Sequence, residues 1–364
     1  MSDNGPGRRV ALAHEWLDAR AGSEKVFEAL ARLLPAADLF ALTRSQGVPF
    51  DLGGREVTTT FLQRAGPLRD RRDLTLPLMP LAWSLQRAGR YDLVITSSHA
   101  CAKGFRPGRR ATHLCYCHTP LRYAWDPQVD LRARGLGPGR RALLAALRRW
   151  DRGSTRWVDS FAANSTVVRD RIRDRYDRDA VVIAPPVDTE FFQPGDRASP
   201  PFALALSRFI PYKRLDLAIA TCVRLGLPLT VAGSGPGEAS LRALAAPAGH
   251  LVTFEIRPTD ERLRELYQQA AVVLFPAEED FGIVPVEAQA CGTPVVAFGR
   301  GGALDTVVDG RTGALVADQD AASFASAVEA VLGAGDRRDA CRRNAERFSP
   351  AVFAARVTEW IAGA

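Results

Sequence analysis

The stretch that most constrains the fold runs from Phe275 to Phe298, FPAEEDFGIVPVEAQACGTPVVAF. The apolar runs 271–275 and 295–298 predict short buried strands. The residues between them predict a helix that begins at Pro285 and ends at Gly292 in the left-handed region. A strand, a loop, a helix and a second strand form the unit of a parallel α/β sheet. Ligands of such sheets bind beyond the carboxyl ends of the strands, often at a helix N-terminus.

Two carboxylates mark this unit. Glu279 lies in the predicted loop, and Glu287 lies eight residues later, in the predicted first turn of the helix. We expect these side chains to hold different parts of one ligand, with backbone N–H groups between them. The alternative is that both are solvated carboxylates stabilised by the helix dipole.

Strand and helix patterns alternate along the whole chain of 364 residues, a length typical of about two domains. A segment rich in Pro, Gly and Asp, 185–201, predicts a linker between two α/β halves. The predicted strands are 9–16, 37–43, 91–98, 112–118, 160–164 and 180–184 before it, and 202–207, 229–232, 252–256, 271–275 and 295–298 after it.

The composition favours an anionic partner, because the formal net charge is +7. A nucleotide, a phospholipid surface and nucleic acid all fit this charge, and so does a surface that is merely rich in arginine. No apolar run reaches the roughly 20 residues of a membrane span, and the polar start predicts no signal peptide. The six cysteines lie in apolar segments, which is typical of reduced thiols in a cytoplasmic protein.

Other polar residues follow predicted strands. Arg208 and Lys213 come after the first strand of the second half, where two cations can clamp a diphosphate. His118 ends a strand in THLCYCHTPLRYAWD, and His14 and Glu15 end the first strand. A buried, hydrogen-bonded histidine and a solvated Arg/Lys pair are the alternatives.

These strings resemble the retaining nucleotide-sugar glycosyltransferases of family 4. The resemblance rests on Glu279-x7-Glu287 with its Phe-Gly and Gly-Thr-Pro-Val-Val neighbours, and on Arg208-x4-Lys213, where Arg214 replaces the usual Gly. It implies an α/β protein of the GT-B fold, with two Rossmann-like domains facing across a cleft. We expect domains at 1–186 and 187–345, and a helix at 346–364 that packs back on the first domain.

The resemblance also implies a role for each matching residue. Arg208 and Lys213 would stabilise the leaving diphosphate, Glu279 and His118 would contact the donor sugar, and Glu287 would hold the ribose. Further donor contacts are expected at Phe281, Gly282, Ile283, Val284, Gly22 and Gly302. No metal ion or other cofactor is expected, because the two cations neutralise the diphosphate.

The string CYCHTPLRYAWD resembles a subgroup of bacterial mannosyltransferases of surface polysaccharide synthesis. This implies GDP-mannose as donor and a lipid-linked glycan or glycolipid as acceptor. The residues expected on the acceptor side are His14, Glu15, Arg122, Tyr123 and Trp125. We expect a cytoplasmic protein and no nucleic-acid partner, and contact with the inner face of the membrane stays open.

Several alternatives remain at this point. His113, Cys115, Cys117 and His118 could be metal ligands, but strand alternation places the last of them on the opposite face. The basic segments 64–72 and 132–149 could meet a membrane surface, or the second could pack its apolar stripe on the sheet. An epimerase or hydrolase, or a non-catalytic nucleotide-binding protein, would share the donor site. A nicotinamide dehydrogenase is disfavoured, because Gly233-Ser234-Gly235-Pro236-Gly237 lacks the required spacing.

Overall fold

A computed structural model describes residues 8–69, 71–86, 89–126 and 137–364. The chain divides into two compact units. The first unit comprises residues 1–186 and 353–364, and the second comprises residues 187–352. Each unit is built around one parallel sheet with helices on its faces.

The first unit contains a sheet of seven parallel strands in the order β3-β2-β1-β4-β5-β6-β7. The strands are β1 (Val10–Leu17), β2 (Asp38–Arg44), β3 (Val57–Thr59), β4 (Leu93–Ser98), β5 (Thr112–Cys117), β6 (Ser160–Ala163) and β7 (Ala180–Val182). The α-helices are α1 (Gly22–Leu33), α2 (Arg72–Thr75), α3 (Met79–Ser84), α4 (Arg122–Trp125), α5 (Pro138–Ser154), α6 (Thr166–Tyr176) and α14 (Pro350–Ala362), whose residues from Phe353 onward belong to this unit.

Apolar cores cover both faces of this sheet. One core joins β1, β2 and β4 to α1 and to Phe353, Val357 and Trp360 of α14. A second core holds α3 and α5 against the opposite face. The central strands are long apolar runs because both of their faces are buried, as is typical of parallel sheets.

The second unit contains six parallel strands in the order β10-β9-β8-β11-β12-β13. They are β8 (Ala203–Arg208), β9 (Leu229–Ser234), β10 (Val252–Ile256), β11 (Val272–Phe275), β12 (Val295–Phe298) and β13 (Gly313–Val316). The helices are α7 (Leu215–Leu225), α8 (Glu238–Ala245), α9 (Asp260–Gln269), α10 (Ile283–Ala290), α11 (Ala303–Thr306), α12 (Ala321–Gly333) and α13 (Arg338–Glu346).

The central strand–loop–helix–strand unit is present as β11, α10 and β12. The predicted helix start is wrong, because α10 begins at Ile283 and Pro285 is its third residue. A proline is tolerated there because the first N–H groups of a helix have no acceptor within it. Glu287 therefore lies in the second turn. The predicted end is confirmed, since Gly292 has a φ of +79°.

Most of the segment predicted as a linker, residues 187–201, belongs to the second unit and packs within it. Arg197 donates hydrogen bonds to Thr293 Oγ1 at 2.9 Å and to the carbonyl of Gly292 at 2.8 Å, and it also bonds the carbonyl of Ala270. Val187 N–H donates to the carbonyl of Phe348. Its irregular backbone is thus held by specific contacts despite its linker-like composition.

The strand orders decide where ligands can approach. In the first sheet β1 pairs with β4, and in the second β8 pairs with β11. At both places the chain reverses the direction in which it adds strands. The loops that leave such neighbouring strands diverge and open a crevice at the carboxyl edge. The residues that follow β1, β4, β8 and β11 therefore lie at these two crevices.

Candidate active site

The crevice of the second unit contains an ion pair between the two loops that flank it. Lys213 follows β8 and Glu279 follows β11, and Lys213 Nζ contacts Glu279 Oε1. The lysine side chain is 8% exposed and the glutamate side chain 23%. Both residues are among those predicted for the site, and the fold brings them together. The pair offers a cation and a carboxylate at one open edge of the sheet.

Arg208 adds a second cation to this edge. It is the last residue of β8 and is exposed. Its guanidinium donates to the hydroxyl of Tyr212 at 3.1 Å, and Lys213 Nζ lies 5.0 Å from the centre of the same tyrosine ring. Tyr212 thus spaces two positive charges on one loop, an arrangement suited to a diphosphate.

Arg214 occupies the position where the resembled family has glycine. Its φ of 53° and ψ of 36° lie in the left-handed region, which glycine adopts with least strain. Its Nη1 donates to Gln319 Oε1 at 2.7 Å, and Gln319 Nε2 donates to the carbonyl of Pro276 at 2.7 Å. The arginine therefore ties the Lys213 loop to the Glu279 loop, which glycine could not do.

The N-terminus of α10 lies directly after Glu279. Gly282 precedes the helix with a φ of +83°, and Phe281 is buried behind it. The N–H groups of Gly282, Ile283 and Val284 donate to no acceptor in the described part of the chain. Such N–H groups and the helix dipole favour an anion, as the predicted donor contacts require.

Glu287 is buried within the second unit rather than open to solvent. Its Oε2 accepts a hydrogen bond from the hydroxyl of Tyr267 at 3.0 Å. Burial, together with the nearby carboxylate, raises the pKa of Tyr267 well above its usual value. Tyr267 therefore stays a donor, and it holds Glu287 in one orientation.

Gly301 and Gly302 are packed against the Glu279 loop. A Cβ on Gly302 would lie 2.2 Å from the carbonyl oxygen of Phe281, and one on Gly301 would lie 2.3 Å from that of Glu279. Gly302 N–H donates to the carbonyl of Glu279 at 2.8 Å. The close approach of these two glycines is thus made to protein backbone, and Gly302 supports the loop that carries Glu279. The donor contact expected at Gly302 stays a prediction.

The glycine-rich string 233–237 has a similar supporting role. A Cβ on Gly235 would lie 2.7 Å from the backbone nitrogen of Phe209. Gly237 N–H donates to the carbonyl of Phe209 at 2.8 Å. These glycines let the loop after β9 pack against the loop that follows Arg208. This close packing explains why the string is rich in glycine.

In the first unit, a serine bridges two of the histidines at the carboxyl edge. His14 pairs with Ser97 in the register of β1 and β4. Its Nδ1 lies 3.2 Å from Ser97 O and 3.0 Å from Ser97 Oγ, and Ser97 Oγ lies 2.8 Å from His118 Nε2. A carbonyl oxygen only accepts, so His14 Nδ1 carries a proton. The hydroxyl then accepts from His14 and donates to His118 Nε2.

The first turn of α1 closes this network. Glu24 Oε1 lies 3.7 Å from His14 Nε2, and Glu24 Oε2 accepts from the N–H of Ala21 and the hydroxyl of Ser23. Burial raises the pKa of Glu24, but the nearby His14 ring and the hydrogen bonds to this carboxylate together outweigh it, so the pKa is lowered. Gly22, predicted as a donor contact, is the first residue of this helix.

His99 joins the cluster through ring contacts. Its ring centre lies 5.7 Å from that of His14 and 6.1 Å from that of His118. Ser97, His99 and Glu24 are not among the residues predicted for the site. A signal was present for the first two, since Ser97-Ser98-His99 is a polar run at the carboxyl end of a buried strand.

The residues considered as metal ligands have other partners. His113 Nδ1 donates to the carbonyl of Trp157 at 2.7 Å, and its Nε2 lies 3.1 Å from Thr96 Oγ1. Burial lowers the pKa of His113 to about 4 and raises that of Cys115 to about 12. Within the described ranges, no group of three or more His, Cys, Asp or Glu side chains is placed to hold a metal ion.

Glu15 has a structural role in the first unit. Its side chain is fully buried, and its Oε1 accepts hydrogen bonds from the N–H groups of Ala100 and Ala102 at 2.8 Å and from the hydroxyl of Ser98 at 3.0 Å. This carboxylate shapes the loop after β4 and offers no surface to an acceptor. An acceptor role for Glu15 stays a prediction.

The residues of α4 differ in what they contact. Arg122 and Tyr123 are partly exposed, and the Tyr123 ring lies 6.3 Å from that of Trp16. The indole N–H of Trp125 donates to Asp151 Oδ2 at 2.7 Å. Trp125 therefore anchors α4 to α5, and an acceptor role for Arg122, Tyr123 and Trp125 stays a prediction.

The basic segment 132–149 proves to be a packing helix where the structure describes it. Leu144 and Leu147 of α5 are buried in the core of the first unit, with Leu143 and Trp150 packed against it. Its apolar stripe is therefore not available to a membrane surface. Residues 132–136 lie outside the described part of the chain. No helix among the described residues has the length and apolarity needed to cross a bilayer.

Two family models match the chain. "Glycosyltransferase Family 4" matches residues 20–191, and "Glycosyl transferases group 1" matches residues 186–348. A D-inositol 3-phosphate glycosyltransferase of Mycobacterium avium (strain 104) is 38% identical over 191 residues, which cover 47% of this chain and 45% of that protein. The chain thus spans about half the length of the curated relatives it matches.

Solved structures resemble the whole chain. Sucrose-phosphate synthase from Thermosynechococcus elongatus has a TM-score of 0.76 at 22% identity, covering 98% of this chain and 99% of that one. The Anabaena protein Alr3699/HepE, in complex with UDP-glucose, has a TM-score of 0.69 at 18% identity, covering 97% of this chain and 100% of that one. The two family models together take in residues 20–348, and the solved neighbours share the fold over nearly the whole chain. The chain is therefore a GT4-like glycosyltransferase with the GT-B fold.

Proposed function

We propose that the protein transfers a hexose from a nucleoside diphosphate sugar to an acceptor hydroxyl, with retention of the anomeric configuration. The observation that carries this proposal is the contact of Lys213 with Glu279 at the carboxyl edge of β8 and β11, beside the exposed Arg208. A diphosphate needs cations, and a sugar needs a carboxylate that accepts from its hydroxyls. This edge of the sheet provides both within two adjoining loops.

In the proposed reaction, Arg208 and Lys213 stabilise the charge that grows on the leaving diphosphate. The diphosphate and sugar are held by backbone N–H groups at the start of α10, those of Phe281, Gly282, Ile283 and Val284. Binding of the phosphates competes for Lys213 and leaves Glu279 able to accept from sugar hydroxyls. Glu287, held by Tyr267, binds the ribose.

The chemical step follows the resemblance to retaining enzymes. A phosphate oxygen of the donor accepts the proton of the attacking hydroxyl, on the face from which the diphosphate leaves. This route requires no protein base and no metal ion. His118 is assigned to the donor sugar on the resemblance, and Ser97 fixes its orientation.

GDP-mannose is the donor we propose, on the resemblance of CYCHTPLRYAWD to bacterial mannosyltransferases. The Anabaena structure contains UDP-glucose, so a uridine donor is the first competitor to test. The proposed acceptor is a lipid-linked glycan or glycolipid. A second candidate acceptor is D-inositol 3-phosphate, because relatives are named for it.

The proposed location is the cytoplasm, with peripheral contact to the inner face of the cytoplasmic membrane. A nucleotide-sugar epimerase or hydrolase remains the main alternative activity. It would consume the donor at the same rate with and without an acceptor. A non-catalytic nucleotide-binding protein would bind the diphosphate and leave the sugar intact.

A thermal-shift panel tests the donor site first. GDP, UDP, ADP and GDP-mannose are compared with and without EDTA, on the wild type and on Glu287→Ala. A ligand at 100 times its Kd should stabilise the protein by roughly 2.7 kcal/mol. We expect one nucleoside diphosphate to act, EDTA to change nothing and Glu287→Ala to lose the effect.

Glu329→Ala is the matched control, because Glu329 is exposed on α12 of the same unit. It should respond to ligand as the wild type does. The donor that stabilises is then incubated with a glycolipid acceptor or D-inositol 3-phosphate, and NMR identifies the anomer of the product. The absence of a shift with every nucleotide would rule out the proposed donor site.

A further inference from the structure

The segment between β3 and β4 carries a stripe of leucines that faces solvent. Leu74 is 51% exposed, Leu78 45%, Leu81 50% and Leu85 61%. Their spacing of four, three and four residues places them on one side of the helical turns from α2 to α3. We name these four residues the leucine surface.

The opposite side of the same segment already fills the core of the first unit. Leu76, Met79, Ala82 and Trp83 are buried there. Folding of this unit is thus satisfied without the leucine surface. A helical segment that is apolar on both sides needs a second environment for its outer side, and a contiguous apolar patch commonly marks an interaction site.

The surroundings of the leucine surface are basic. The short helix Phe61–Arg64 contacts α3, and it carries an aromatic ring that is 45% exposed at one end and an exposed guanidinium at the other. In the sequence, residues 61–90 contain six arginines against two aspartates. Exposed leucines and phenylalanine among arginines match the boundary between acyl chains and anionic headgroups.

We propose that the leucine surface docks on an anionic lipid bilayer. The leucine side chains enter the boundary of the acyl chains, and Arg64 and its neighbours meet the phosphates. A second copy of the chain fits less well, because a two-fold contact through this surface would bring the two arginine-rich segments together. The attachment deepens the proposed function, since it would bring the enzyme to a lipid-linked acceptor. The lipid attachment rests on the proposed function only for its biological purpose, because the binding of vesicles needs neither donor nor acceptor.

Cosedimentation with vesicles tests the proposal. Vesicles of phosphatidylcholine alone are compared with vesicles that also contain phosphatidylglycerol, at low and high salt. The wild type should bind the anionic vesicles, and salt should weaken this binding without abolishing it. Leu78→Ser/Leu81→Ser should lower the partition coefficient by about tenfold or more, because two apolar side chains are lost from the contact.

Leu244→Ser/Leu332→Ser is the matched control. These leucines belong to the second unit and are 50% and 42% exposed, close to the values of the pair under test. The control should bind vesicles within about twofold of the wild type. Circular dichroism and the unfolding midpoint of each variant show that a loss of binding is not a loss of fold.

Two results would overturn the proposal. One is wild-type protein that stays in the supernatant with anionic vesicles. The other is a Leu78→Ser/Leu81→Ser variant that partitions like the wild type. Sedimentation velocity tests the competing occupant, which is a second copy of the chain. A wild-type dimer that is absent in Leu78→Ser/Leu81→Ser would assign the leucine surface to that second copy. The nucleotide-dependent thermal shift is measured on the same samples, so failure to bind lipid and failure to bind a donor are scored separately.

Discussion

Each unit of the molecule contains a lysine in contact with a carboxylate, and the two pairs differ in what surrounds them. In the first unit Lys103 contacts Asp151, and the side chains are 2% and 0% exposed. In the second unit Lys213 contacts Glu279, and the glutamate keeps access to solvent. The chemical groups are alike, so the difference in their use must come from their environments.

The pair of the first unit is closed. Asp151 also accepts from the indole N–H of Trp125 at 2.7 Å and from the hydroxyl of Tyr176 at 2.8 Å. Burial lowers the pKa of Lys103, but the charge and hydrogen bond of Asp151 outweigh it and raise the pKa. Both oxygens of this carboxylate therefore have partners. A closed pair can only hold elements together, here α4, α5 and α6 around the loop after β4.

The pair of the second unit is open. Glu279 makes its one ion pair, among the described residues, with Lys213. The loop that carries the glutamate is supported from behind by Gly302 and by the Arg214–Gln319 link. Rigid support combined with unused acceptor capacity is what a binding site needs. The comparison teaches that the surroundings of a charge pair, rather than its presence, separate the lysine proposed to act in catalysis from the structural one.

Removing the closed pair's carboxylate should produce the largest effect. Asp151→Ala leaves Lys103 buried without a counter-charge, so we expect a loss of about 3–5 kcal/mol in the free energy of unfolding. Urea denaturation followed by circular dichroism measures it. The double variant Lys103→Met/Asp151→Leu should recover much of this loss, because it removes both charges.

The exposed pair of Arg32 and Asp51, 3.1 Å apart, serves as a control for this prediction. Asp51→Ala should cost less than about 1 kcal/mol, as is usual for ion pairs at a surface. If Asp151→Ala were no more destabilising than Asp51→Ala, the first unit would not depend on its closed pair and the comparison would break.

Removing the open pair's lysine should affect activity instead. Lys213→Ala should lower kcat/KM for glycosyl transfer by roughly 10²–10³-fold, because a cation that stabilises the leaving diphosphate is lost. The free energy of unfolding should change little, since solvent reaches Glu279. Steady-state kinetics with the donor found by thermal shift, and urea denaturation of the same sample, test both halves of the statement.

Arg356→Ala provides the control, because Arg356 lies exposed on α14 and pairs only at the surface. Its kinetics should match those of the wild type. A Lys213→Ala enzyme with normal kcat/KM and lowered stability would place this lysine in the same class as Lys103.

A buried histidine of the first unit extends the contrast to a group that titrates. His113 is closed, with Trp157 and Thr96 on its two nitrogens, and its pKa is lowered from 6.5 to about 4. Between these values the unfolded chain binds a proton that the folded one does not. The stabilising effect is therefore complete above pH 6.5 and is lost as the pH falls toward 4, by about 3 kcal/mol in all.

Urea denaturation at a series of pH values measures this loss, and His113→Gln isolates it from other titrating groups. The variant should show a shallower decline between pH 6.5 and 4 than the wild type. Parallel curves for the two proteins would mean that His113 is not the closed group described here.

The sequence was sufficient for the layout of the sheets and for the open pair. Buried runs such as Val295–Phe298 predict their strands without error, because in a parallel sheet both faces are apolar. Lys213 and Glu279 follow strands, and the strand order brings them together. Two short strands, Val57–Thr59 and Gly313–Val316, escaped prediction because neither is a continuous run of buried apolar residues.

The closed groups could not be found in this way. Lys103 and Asp151 are 48 residues apart, and nothing in the sequence near either residue indicates its partner. The apolar stripe of α5 and the leucines from Leu74 to Leu85 both recur on one side of a helix, yet one stripe is buried and the other exposed. Periodicity shows that a face is apolar, while only the packed structure shows what covers it.

The smallest expected effect concerns the serine between His14 and His118. Ser97→Ala removes the hydroxyl that donates to His118 Nε2 and leaves the backbone carbonyl that accepts from His14 Nδ1. The loss of one hydrogen bond to a histidine, about 1 kcal/mol, corresponds to a decrease of roughly five- to tenfold in kcat. A purely structural serine would lower the stability and leave the dependence of kcat on pH unchanged. If His118 instead serves the sugar through the tautomer that Ser97 selects, Ser97→Ala should shift that pH profile, and Ser97→Thr should restore it because the hydroxyl returns.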